Sequence, residues 1–182
     1  MSALPNKQIT SALLAAIEKP DAEPFVLHRF TVEQALDAVP EELAGLIRMW
    51  DERRGDAAVP DWSDVDFPDF RGWHSRVVIS DLPADEPDPH YRVIGEDFRI
   101  VTYSTEPGQK FSDRTPLLYE RQFRKHFGEI RDRGLIGWSV GPVAFVGREH
   151  IRLEILELPF RNGGERVARL VHVLTHAFVG ES

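Results

Sequence analysis

The stretch HIRLEILELPFRNGGERVARLVHVLTHAFV, residues 150–179, decides the fold class. It contains two runs rich in Val, Ile, Leu and Phe, His150–Phe160 and Val167–Val179, joined through Asn162-Gly163-Gly164. Asn-Gly and Gly-Gly steps favour the positive-φ turns that match the twist of paired strands, so the two runs read as a β-hairpin. The second run is apolar on both sides, with Val167, Val171 and Val173 on one and Leu170, Leu174 and Phe178 on the other. A strand dry on both faces sits in the middle of a sheet and is covered from both sides.

Upstream, Leu135–Val146 has the same β character. Before it, Thr115 and Pro116 supply the cap and first turn of a helix and Gly134 supplies its stop, which predicts a helix over 116–133. Tyr119, Phe123, Phe127 and Ile130 form its apolar stripe. Arg76–Leu82 and His90–Gly95 read as a second hairpin with a long proline-rich loop, and Asp97–Tyr103 as a short helix. The first third reads as helical pieces. Ile9–Lys19 is one, Thr31 with Gln34 reads as a capping box that opens a short turn at Val32–Ala38, and a longer helix opens at Pro40. Leu43, Leu46, Ile47 and Trp50 share a face of that helix, and Gly55 ends it. Residues 56–74 are an aromatic-studded polar loop expected to tuck its rings onto the core.

Composition narrows the function. The 182 residues are 42% apolar, enough for a core without a disulfide or a structural metal. There is no cysteine, which excludes disulfides, thiolate–metal centres, cysteine nucleophiles and any chromophore bonded to a thiol, and fits a cytoplasmic setting. Net charge is −8. Residues 1–90 carry 8 basic and 18 acidic side chains, and residues 91–182 carry 14 and 12. An acidic chain without a basic stripe is a poor partner for nucleic acid or an anionic membrane. No apolar run is long enough for a transmembrane helix, and no signal-peptide cleavage site comes after Ile9–Ile17.

The element order of two strands, two helices and three strands behind an N-terminal helix carries a resemblance. Its residues are Trp50 with Arg53-Arg54-Gly55, Val59-Pro60-Asp61-Trp62, Asp66-Phe67 and Val77-Val78-Ile79-Ser80-Asp81-Leu82. Tyr91-Arg92-Val93-Ile94-Gly95, Pro107-Gly108-Gln109-Lys110, Leu158-Pro159-Phe160 and Val171–Ala177 continue it, while Glu96 stands where a small hydroxyl residue is the family pattern. Together these stretches resemble a bacterial branch of PAS-like proteins that often stand alone. The resemblance implies an α+β fold: a PAS-like five-stranded antiparallel sheet, the long helix across one face, and N-terminal cap helices. It implies a PAS-like domain over 41–182 behind a helical extension over 1–40, with no effector domain after the last strand. It further implies a non-catalytic sensor or regulatory module in signalling, acting through a small ligand, a protein partner or both. PAS-like domains commonly pair through helices at this position, so a homodimer or a signalling partner is expected on the N-terminal segment.

Candidate ligand-binding residues are Tyr91, Arg92, His126, Trp138, His172 and His176. Only one of Tyr91 and Arg92 can face the concave side, because strand side chains alternate. His172 and His176, four residues apart on a strand, lie about 13 Å from each other and cannot share one metal ion. His126, at the edge of the long helix's stripe, is read as a partly exposed structural residue; related domains bind haem through a histidine on this helix, so haem or another small ligand is the cofactor to consider. No Gly-x-Ser-x-Gly elbow, P-loop or His-Glu-x-x-His is present, and no catalytic or metal residue is expected. Two rivals stand beside the sensor. One is a small enzyme or carrier using His172, His176 or Tyr91; the other is a structural interaction protein with a filled core. The size of the cavity between sheet and long helix separates them.

Overall fold

The structure is a computed structural model and describes residues 25–102, 105–115, 117–142 and 151–178. Its strands are β1 (Val26–Phe30), β2 (Val77–Asp81), β3 (His90–Ile94), β4 (Ile136–Pro142), β5 (Ile151–Arg161) and β6 (Val167–Phe178). Its α-helices are α1 (Val32–Ala38), α2 (Glu41–Arg54), α3 (Glu96–Thr102) and α4 (Leu117–Arg133). All strands pair antiparallel in one sheet, ordered β1-β4-β5-β6-β2-β3. The fold is therefore α+β, and β6 lies inside the sheet as its two-sided apolar pattern requires.

Among the described residues the sheet has six strands rather than five. The additional one, β1, falls in the segment read from sequence as helical, and pairs with β4 from Val26↔Val140 to Phe30↔Ile136. Five residues that include His28 and Arg29 carry too few apolar positions to reveal a period. The strand is defined by the β4 edge that it covers, not by its own propensity. Residues 1–24, including the piece expected over Ile9–Lys19, lie outside the described residues.

The two sheet faces are set by the register. Gly137, Ser139, Ile155, Glu157, His172, Leu174, Val78 and Ser80 share one face, here the inner face. Trp138, Leu156, Leu158, Val171, Val173, Val77 and Ile79 share the outer face. Helix α4 packs on the inner face, where its Phe127 ring meets His172 edge-on at 6.1 Å. It stops at Gly134, whose φ of +63° turns the chain into β4.

The outer-face residues join one core with Leu43, Leu46, Ile47 and Trp50 of α2. The aromatic loop lies on it as three short 3₁₀ turns, with Phe70 buried and Trp62 edge-on to Phe160 at 5.4 Å. Phe67 instead stays exposed, stacked on His74. Helix α1 opens with the reciprocal bonds of Thr31 and Gln34.

Trp50 fastens α2 to the sheet. It is 1% exposed, and its indole Nε1 donates to the carbonyl of Pro159 at 2.8 Å. Trp50→Ala is expected to cost about 3–5 kcal/mol in urea denaturation, from lost burial and the cavity left behind. Trp50→Phe should cost roughly 1–2 kcal/mol, the indole bond and some contact area. Equal stability of the wild type and Trp50→Ala would show that α2 is not part of the core.

Candidate functional site

Between the inner face, α3, α4 and residues 105–115 lies a cavity of about 90 Å³. Tyr91, Phe98, Phe111, Tyr119, Phe123 and Phe127 supply aromatic rings to its wall, Glu157 and His172 stand on it from the sheet, and Thr105, Arg114 and Thr115 complete its polar lining. Residues 105–115 are tied down at several points. Asp88, 2% exposed, accepts from the Ser112 amide at 3.0 Å and its hydroxyl at 2.6 Å, and the Phe111 amide donates to the Pro89 carbonyl. Lys110 bonds Glu86 at 3.0 Å and holds that carboxyl below its ordinary range.

The polar residues of the sheet are one ladder rung apart. Glu157 pairs with Gly137 on one side and with His172 on the other. A side chain at position 137 would collide with the Glu157 carboxyl and with Ile130, so glycine there makes the room that the carboxyl occupies. Ser139 Oγ donates to Glu157 Oε1, and His126 Nε2 lies 3.4 Å from Glu157 Oε2. On its other side His126 Nδ1 meets Arg29 Nη1 at 3.4 Å, and Arg29 Nε pairs with Glu129 at 2.7 Å. A guanidinium only donates, so Nδ1 accepts and the ring proton sits on Nε2, facing Glu157. His172 is bonded through Nε2 to Ser80 Oγ at 2.8 Å.

The six residues singled out by sequence separate by strand parity. Tyr91 and His172, each 5% exposed, line the cavity. Arg92 does not: the ladder skips it at a bulge opposite Ile79/Ser80, and it turns out to Asp81 as an exposed ion pair. Trp138 is buried on the outer face, because Ser139 beside it takes the inner one. His126 is not the partly exposed residue expected. It is 0% exposed and stands outside the cavity wall, behind Glu157. His176 pairs with Leu153 in the ladder, and its side chain lies outside the described residues.

Haem does not fit this site. Both ring nitrogens of His126 already face polar partners, and a cavity of about 90 Å³ is far below the several hundred Å³ of a cofactor pocket. Among the described residues, no group of three His, Cys, Asp or Glu side chains could hold a metal ion, and no helix is long and apolar enough to cross a membrane.

Sequence reasoning missed Glu157, Ser139 and Arg29. Glu157 gave no sequence signal of its own: alternating with Leu156 and Leu158 it reads as a solvent-facing strand residue, and only its pairing with Gly137 and His172 places it on the covered face.

No protein-family model matches the chain, and no curated protein does. A solved structure described as an RNA-binding light-oxygen-voltage receptor is similar at 16% identity and a TM-score of 0.48. The alignment covers 96% of this chain and 45% of that one, so this chain spans less than half of its length.

Burial pushes the His172 imidazole down to about 4; Glu157 acts in the opposite sense and does not overcome it. The unfolded chain therefore binds a proton at this residue that the folded one refuses. Stability from His172 is complete above its ordinary value of 6.5 and is lost as pH falls from there towards 4. The full loss is about 3 kcal/mol. Urea denaturation from pH 7 to 4.5 should show this slope, and His172→Gln should flatten it. An unchanged slope in the variant would show that another group carries it.

Proposed function

We propose that this chain is a PAS-like sensor or regulatory module that holds a small molecule in the aromatic cavity and passes its occupancy to a partner through its surface. One observation carries the reading: an apolar cavity under the long helix, with Glu157 and His172 as the polar residues that the sheet adds to its wall. The order of two strands, helices and three strands, with α4 across the inner face, supports the PAS-like assignment.

Two features support a non-catalytic reading. The Ser139 hydroxyl donates to Glu157 and also lies 3.4 Å from His126 Nε2, and neither Ser139 nor His126 belongs to the cavity wall, so this pair of side chains faces no ligand space. The modest volume favours the rival, an interaction module with a filled core. The same proposal assigns a homodimer or a signalling partner to the N-terminal segment, in a cytoplasmic protein.

Xenon enters apolar cavities too small for most ligands. Under xenon pressure the full chain should give a saturable ¹²⁹Xe shift, with perturbed resonances at Phe123 and Phe127. Native mass spectrometry at micromolar concentration should show a dimer or a bound small molecule. A linear xenon response together with a bare monomer would overturn the sensor reading and favour the filled core.

A further inference from the structure

A second cleft shares no lining residue with the aromatic cavity. It lies between Ala58 and Val59, the last turn of α4 and the residues that lead into β6. Its volume is about 440 Å³, within the range of about 300–1,000 Å³ that small-molecule pockets occupy. Val59 and Val167, both buried, supply its apolar part.

Charges of both signs stand on this cleft. Arg131 is already engaged: its Nε donates to Asp132 at 2.9 Å and its Nη1 to the Ala84 carbonyl at 3.0 Å. Arg131 holds the Asp132 carboxyl below its ordinary range, and Arg166 adds to the effect. Arg133, Glu165 and Arg166 also line the cleft, and among the described residues they form no ion pair and no side-chain hydrogen bond. Helix α4 ends at Arg133, so its last carbonyls add negative partial charge. That helix end accounts for Arg131 and Arg133 as partners of the dipole. It does not account for Glu165 and Arg166, which come from the connection between β5 and β6.

This arrangement selects against a guest of one sign. A cation meets three guanidinium groups, and a dianion meets two carboxylates and the carbonyl end of α4. A guest with opposite charges a few bonds apart can place each where it is favoured. We propose that the cleft binds a free α-amino acid with an apolar side chain. Its carboxylate takes the guanidinium forks of Arg133 and Arg166, its ammonium takes Glu165 and the end of α4, and its side chain lies against Val59 and Val167. The proposal is independent of the reading of the aromatic cavity.

The probe is L-valine, titrated at low salt into the ¹⁵N-labelled full chain. The Gly134 and Val167 amide resonances should shift saturably in about the millimolar range, as a ligand of so few atoms allows. Two truncated compounds separate the charges: 3-methylbutanoate lacks the ammonium and 2-methylpropylamine lacks the carboxylate. Each should bind about tenfold more weakly than valine, the value of charge-assisted hydrogen bonds lost. Arg166→Gln and Glu165→Gln should each weaken valine about fivefold, the upper value for an exposed ion pair. Both residues are exposed, so both variants keep the fold. Equal affinity for valine and 3-methylbutanoate, or unchanged valine affinity in both variants, would overturn the assignment of an amino acid to these residues. No saturable shift with any of the three compounds would overturn the site itself. Each of these results leaves the sensor reading standing, because the xenon response of the aromatic cavity decides that separately.

Discussion

A carboxyl group in the middle of the inner sheet face sets the terms for the rest of the structure. Glu157 is 1% exposed on a strand whose neighbours are apolar. A buried carboxyl without partners costs several kcal/mol, roughly as much as a small domain's whole margin can spare. Each element around it answers that cost. Gly137 leaves the space, Ser139 donates from β4, and His126 is brought down by α4. Arg29 then meets the far side of His126, which gives β1 a reason to close the sheet beyond covering an edge. The chain of contacts continues through Glu129 to the surface of α4, where it is partly exposed. Under the proposed function this is a physical connection from cavity wall to outer surface, since Glu157 belongs to both the wall and the network.

Most of the architecture was legible because it depends on local chemistry. The Asn162-Gly163-Gly164 turn, the capping box at Thr31 and Gln34, and the helix stops at Gly55 and Gly134 each act within a few residues. The two-sided apolar pattern of β6 announced a central strand with layers on both sides. What escaped was set by tertiary partners. β1 is a strand because β4 had an open edge, and its five residues do not carry that information.

The site was half legible for a related reason. Alternation says that Tyr91 and Arg92 face opposite ways, and so do Trp138 and Ser139, but not which of each pair faces in. The bulge at Ile79/Ser80 and the register with β5 decided it, and both are long-range. Glu157 looks from sequence like a solvent-facing strand residue. Only pairing with Gly137 and His172 shows that its face is the covered one.

The Glu157–His126 contact is the point at which α4 and the sheet become one unit. A double-mutant cycle measures this most directly, with Glu157→Met, His126→Phe and the double variant compared by urea denaturation. If each group needs the other, the single variants strand a buried polar partner and the double variant does not. The double should then cost less than the sum of the singles by about 1–3 kcal/mol. Additivity within about 0.5 kcal/mol would show that the two side chains are energetically independent, and would contradict a shared network between helix and sheet.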